Sequence, residues 1–378
     1  MAYLGQYNTY SNTVPDKRMV SDKIFNVNPL KIATLSILGM NIGKFNMVNR
    51  DQKLYGWLND TYVPESGTIS GSALVSSTDG TTFTPTSTTL YQPGDVLLVD
   101  SEMLWVSAVG TTTAGTPSFT RAYGGTSATN HAASSTVYII SRARIDGDDA
   151  DSSPGTEVTS STNYTQIFQR SLNIARSRMK VAQYGISDPM GYEIDKKMEE
   201  LSMLLNKLPY RGVKYAGTAA AARLAGGFRS FITTNSTDVS SAALTRDHID
   251  DLLQAIHADG GDPNLILCGA FAQRKLNSFY EGFITTDRSE SLGGNLISKL
   301  MNPISGSNLD VVVCRDCPTD EMWVLDKDMI SYYPFDPFFY EDLGKTGDAE
   351  KGQIVGEYGF VVANEAHHGF LDNFSTSS

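Results

Sequence analysis

Apolar positions recur along this chain with two periods, and the change from one to the other divides it. In SDPMGYEIDKKMEELSMLLNKLP, Ile194, Met198, Leu201, Leu205 and Leu208 return every three or four residues, which is the stripe of a helix with one apolar face. Ser187 or Asp188 can cap this helix, Pro189 suits its first turn, and Pro209 is expected to stop it. About twenty helical residues span roughly 30 Å, and with no second helix of matching length the rod is expected to lie across a sheet. LTRDHIDDLLQAIHADGG repeats the pattern: Thr245 caps, Ile249, Leu252, Leu253 and Ile256 share a face, and Gly260 ends it. PNLILCGA and LDVVVCRDC are unbroken apolar runs, as buried strands are, and AFAQRKLNSFYEGF between them predicts a further helix. Residues 216 to about 325 therefore form an expected α/β domain.

From about Ser66 to Ile145 the period shortens. TSTTLY, DVLLVD, MLWVSAV, PSFTRAY and STVYIIS are short β-type runs separated by turn formers, with Pro93-Gly94 turning the chain before Val96 to Val99. Strands at this spacing predict a small barrel or sandwich, inserted as a β-module. The tail, from MWVLDKDMISYYPF onward, predicts long antiparallel strands with aromatic faces that return to the sheet under the long helix. The first thirty or so residues are polar, with Pro15 and Pro29, and form an expected extended arm that needs a partner to lie on. KIATLSILGMNIGKF, after it, fits either a helix or a strand on a core.

Composition narrows the possibilities. Across 378 residues, 40% are hydrophobic and 19% charged, the balance of a folded chain with roughly two to three domains. The net charge of −12 argues against a protein whose main task is gripping nucleic acid, which needs a basic face. Arg170, Arg176, Arg178 and Lys180 form the densest basic cluster, expected as a solvated helix face. No stretch approaches the ~20 apolar residues of a membrane span, and the N-terminus lacks the apolar core of a secretion signal, so folding in the cytoplasm is expected. Three cysteines, Cys268, Cys314 and Cys317, suit a reducing compartment.

Candidate chemistry is sparse. Cys314-Arg-Asp-Cys317 has only Cys268 as a further thiol and precedes Pro318, so reduced cysteines at a strand end are expected rather than a zinc or redox site. Asp146, Asp148, Asp149 and Asp151 lack the terminal Glu of a calcium loop and form an expected solvated hinge. His367 and His368 lie beside Glu365 in a strand-like run that would send them to opposite faces, and His248 and His257 are too far apart for the helical zinc pair. Gly226-Gly227 lacks the lysine and serine of a phosphate loop and marks a backbone turn. NYTQIFQRSLNIARSRM, Asn163 to Met179, holds no His, Cys or carboxylate but many amide and apolar groups, as expected of a segment packing on another surface. No cofactor or metal is expected, and a structural role is favoured over an enzymatic one.

The order of parts carries a resemblance. LYGWLND, QPGDVLLV with SEMLWV, TRAYGGTSATNHA, NYTQIF, GGFRSFI, LTRDHIDDLLQAI and LGKTGDAEKGQIVGEYGFVVANEAHHG follow one another over nearly the whole chain, and the sequence resembles the major capsid proteins of tailed bacteriophages. The resemblance implies an α+β, Hong Kong phage-type capsid fold: an N-terminal arm over 1–40; an E-loop over 41–160 with a small β-barrel or sandwich inserted at about 66–145; a peripheral P-domain from 161–215 and 326–378 with a spine helix over 188–208; and an axial A-domain over 216–325. It implies self-assembly into hexamers and pentamers of an icosahedral shell in the virion, assembled in host cytoplasm. It also implies portal and scaffold proteins as partners, a possible decoration protein, and double-stranded DNA enclosed without sequence-specific binding. A separate scaffold is expected because only a short arm precedes the body. No cross-link through Lys44 or Lys53 is expected. Trp57, Gln166, Ile167, Phe168, Ile194, Met198, Leu201 and Leu205 are the residues expected to carry structure and assembly. Gln166 to Phe168 would anchor the return from E-loop to P-domain, Ile167 and Phe168 burying area, as a core edge within one subunit or as a contact between subunits. The alternatives are a tail, decoration or receptor-binding structural protein and, less favoured, an α/β enzyme with its site near Cys268 or Cys314.

Overall fold

The computed structural model describes residues 33–38, 52–70, 84–85, 90–109, 117–147, 156–181, 186–280, 299–345 and 347–377. Most of the expected arm, Lys44, and the hinge aspartates Asp148, Asp149 and Asp151 lie outside the described residues. The chain divides into two compact units, a body of Met1–Trp57 with Ser160–Ser378 and a module of Leu58–Thr159. Helix α1 (Ala33–Leu38) resolves the helix-or-strand alternative for these six residues. The chain leaves the body through β1 (Leu54–Asn59) and returns through β8, defined below, and the two strands pair as a ribbon.

The module contains β2 (Ser66–Ser70), β3 (Thr84–Pro85), β4 (Asp95–Val99), β5 (Glu102–Val109), β6 (Pro117–Thr120) and β7 (Thr136–Arg142). They form one antiparallel sheet in the order β3-β2-β7-β4-β5-β6. Alternation puts Leu97, Val99, Leu104, Val106 and Val137 on one face, all fully buried, and each such side chain contributes about 1.5–3 kcal/mol. These side chains form the module's own apolar cluster together with Ile69, Leu90, Tyr91 and Phe119. The described strands of the module thus belong to a single antiparallel sheet. Of TSTTLY, residues 86–89 lie outside the described residues, and Leu90 and Tyr91 are buried in irregular chain.

The body follows with β8 (Thr159–Tyr164), β9 (Gln166–Ala175), α2 (Arg176–Lys180), α3 (Pro189–Arg211), β10 (Ser236–Asp238), α4 (Arg246–Ala258), β11 (Leu265–Cys268), α5 (Ala270–Tyr280), β12 (Lys299–Met301), β13 (Asn308–Val313), β14 (Met322–Leu325), β15 (Ile330–Leu343), β16 (Ala349–Val362) and β17 (Gly369–Asp372). One sheet is mixed, ordered β10-β17-β14-β11-β13-β12, with β11 parallel to β13 and antiparallel to β14. In β11, Leu265 and Leu267 enter the larger core while Ile266 and Cys268 enter a second core with α4, which is why the strand has no polar position. The other sheet, β15-β16-β9, is antiparallel, and α3 packs on β9 and β16.

Asp188 caps α3 by accepting from the Met190 amide at 3.0 Å, with Pro189 in the first turn. Pro209 does not end it, and the helix runs on to Arg211. A proline removes the amide that would bond the carbonyl four residues back, here that of Leu205, and the Tyr332 hydroxyl donates to that oxygen at 3.3 Å instead. Thr245 caps α4 by accepting from the His248 amide, and Gly260 follows at φ +83, the left-handed conformation that ends helices. The basic cluster is split: Arg170 lies on β9, and Arg176, Arg178 and Lys180 on the short α2. His367 belongs to a 3-10 turn, Glu365–His367, and not to a strand.

Candidate assembly interface

The root of the β1–β8 ribbon is built from one amide. β9 stops pairing with β16 at Tyr358, which leaves the edge of the next β16 residues open. Tyr55 and Asn163 fill the gap with side chains. The Tyr55 hydroxyl accepts from the Phe360 amide at 2.6 Å and donates to the Phe360 carbonyl at 2.9 Å. Asn163, fully buried, donates to the carbonyls of Phe360 at 2.7 Å and Gly226 at 3.1 Å, and accepts from the amides of Gly226 at 2.9 Å and Tyr164 at 2.8 Å. Every polar atom of that side chain is used, as a buried amide requires. Any side chain at Gly359 would collide with the Tyr55 hydroxyl, so the motif EYGFVV carries glycine there for close approach.

Beside this root, Arg223 donates to the Thr165 carbonyl at 2.8 Å and pairs closely with Glu357, whose carboxylate also receives the Thr165 hydroxyl. Gln166 accepts from the Ala225 amide at 3.2 Å, so its amide does satisfy backbone at the junction. Phe168 is 7% exposed and packs edge-on against Tyr358. Ile167 does not join it: strand alternation turns it outward, where it is 52% exposed on a groove shared with Lys53 and Leu224. Trp57 is buried against Tyr55 and Phe231. Leu201 and Leu205 are fully buried under α3, with Ile194 and Met198 half-buried on the same core. Of the eight residues singled out from sequence, Ile167 alone is more than half exposed, while Asn163, Tyr55 and Arg223 were missed because their partners lie far away in sequence.

The module has its own polar centre. Glu102, fully buried, receives Arg121 at 2.9 and 2.6 Å, the amides of Ala122 at 3.1 Å and Thr129 at 2.9 Å, and lies 3.0 Å from His131 Nε2. Burial opposes its ionisation, but the Arg121 guanidinium, the amides and His131 outweigh that and hold the carboxyl down at about 2. His131 Nδ1 lies 2.6 Å from Asp100, and TRAYGGTSATNHA and SEMLWV meet at the one carboxylate of Glu102. This cluster binds a loop to a turn.

Elsewhere, chemistry is quenched by burial. Cys268, Cys314 and Cys317 are all buried, and burial pushes the Cys268 thiol to about 12 and raises the other two, so all three are protonated thiols rather than thiolates. His368 accepts from the Asp326 amide at 3.1 Å, so its other nitrogen carries the proton and faces the Ala363 carbonyl at 3.1 Å. No helix among the described residues is long and apolar enough to cross a membrane.

Residues 4–375 match the family described as SU10 major capsid protein. The chain belongs to that family. It is a phage head shell protein that assembles with its own copies, not an enzyme. Its fold is the Hong Kong phage-type capsid fold. The subunit in a cyanophage A-1(L) capsid is similar at 14% identity and TM-score 0.57, over 98% of this chain and 100% of that one. The capsid subunit of a native GTA particle is similar at 9% identity and TM-score 0.52, over 95% of each chain. A Microbacterium phage Oxtober96 chain is similar at 12% identity and TM-score 0.50, over 96% of each. Comparison with curated protein sequences gives no significant match.

Proposed function

We propose that this capsid protein builds hexamers and pentamers that close into an icosahedral shell around double-stranded DNA. In this reading residues 1–40 are the arm, 41–160 an E-loop with the module of about 66–145 inserted in it, 161–215 with 326–378 the P-domain, and 216–325 the A-domain. The observation that carries it is the family match over residues 4–375. Ile167, exposed beside an otherwise buried root, is the contact we assign between subunits. Portal and scaffold proteins join the assembly, with a decoration protein as a further partner.

Shell physics suits the composition. A loop that engages a neighbour becomes effectively intramolecular once a ring has formed, so each contact can be weak and errors can dissociate. A wall of net charge −12 per subunit avoids a tight hold on packed DNA, and a tight, salt-sensitive affinity of the subunit for duplex DNA would contradict that part. Negative-stain microscopy of the expressed chain, alone and with its co-expressed neighbours, tests the whole: closed shells are expected. Monomers under all conditions would refute it, and open rings or fibres would favour a tail component.

A further inference from the structure

In the module, the turn Asp100–Ser101 joins β4 to β5, with Val99 paired to Glu102. Asp100 sits there at φ +52, a left-handed conformation that aspartate takes more readily than most residues. Its side chain is 61% exposed and ends 2.6 Å from Nδ1 of His131, whose ring is fully buried. On the other side of that ring, Nε2 lies 3.0 Å from Glu102. A carboxylate has no proton to give, so both contacts are hydrogen bonds only while each ring nitrogen carries its own proton. The buried His368 differs: it faces one donor and one acceptor, which suits a neutral ring.

The two carboxylates are unequal. Glu102 is out of water but keeps Arg121 and the amides of Ala122 and Thr129 whatever the ring does, and with its carboxyl held down at about 2 it stays ionised. Asp100 can turn to solvent. A neutral ring has one N–H. Placed on Nε2, it goes on serving Glu102, for which no water stands ready, and the bare Nδ1 then faces Asp100, lone pair against anion. Among the described residues, the charged groups facing the ring are these two carboxylates, with Arg121 behind Glu102; the Thr129 hydroxyl, 3.4 Å from Nε2, is neutral.

We propose that His131 is a proton-operated clasp: doubly protonated, it ties the β4–β5 turn to the loop between β6 and β7, and on losing one proton it keeps Glu102 and releases Asp100. The clasp is closed on the acid side and opens as pH rises. The movement is local, because Arg121 and the two amides go on holding Glu102.

Solution NMR of the free subunit with labelled histidine and aspartate, followed against pH, tests it. Both ring nitrogens of His131 should carry protons at the acid end, and Nε2 alone once the ring has lost one. The Asp100 carboxyl signal should shift with the same midpoint and its contact with the ring should be lost, while Glu102 keeps its contact. In Asp100→Asn the side-chain amide can offer its oxygen to an N–H or its own N–H to a lone pair, so position 100 should stay on the ring throughout. A ring that is neutral throughout, a ring that loses no proton wherever the subunit stays folded, or an Asp100 contact that survives proton loss would each overturn the proposal. An Asp100→Asn subunit that loses the contact in step with the natural chain would overturn it too, and should that variant fail to fold, the natural chain alone decides.

Discussion

Body and module hold their loops by opposite chemistry. In the body, a neutral amide, Asn163, makes four bonds that all go to backbone groups. In the module, an ionised carboxylate, Glu102, itself fully buried, gathers Arg121, His131 and two backbone amides. The difference teaches where each unit is vulnerable. Losing a buried neutral partner costs the desolvation of the groups left behind, whereas losing one member of a buried charge cluster strands charge.

The sharpest way to break the comparison is Glu102→Ala, which leaves Arg121 and His131 without their shared partner. It should destabilise the module by about 3–5 kcal/mol and leave the body's unfolding temperature unchanged, as thermal unfolding and limited proteolysis would show. Acid should then separate the units in order. Burial pushes the His368 imidazole down from 6.5 to about 4, against the pull of its bond to the Ala363 carbonyl. Its contribution is therefore complete above pH 6.5 and is lost as pH falls towards 4, by up to roughly 3 kcal/mol. The depressed Glu102 carboxyl contributes fully above pH 4.5, and its share is lost only between there and about 2. The body should weaken first on acidification, and His368→Gln should flatten that slope; a module that weakens first would reverse the comparison. Asn163→Ala should cost the body about 2–4 kcal/mol, read by urea unfolding of the free subunit. Smallest is Ile167→Ser, which should change subunit stability by less than about 0.5 kcal/mol while reducing shell yield by light scattering. A normal yield would return Ile167 to the ordinary surface.

Much of this was legible in the sequence where a local signal decides the structure. Asp188 with Pro189, and Thr245 with Gly260, mark their helix ends because a cap is a matter of a few neighbouring residues. Pro209 misled because its cost depends on whether something else satisfies Leu205, and that something, Tyr332, is 127 residues away. Ile167 and Phe168 looked alike as apolar neighbours, but strand alternation sends them to opposite faces. The carboxylate centre was invisible for the same kind of reason: Glu102, Arg121 and His131 are ordinary surface types until the fold brings them together. The amide-rich run from Asn163 shows no sign of that residue's role, since its partner Phe360 lies 197 residues on.

That each unit is stabilised from within is tested most directly by calorimetry of the free subunit, with and without Glu102→Ala. Two transitions are predicted, of which the substitution lowers one and leaves the other in place. A single transition, or two that fall together, would contradict the account.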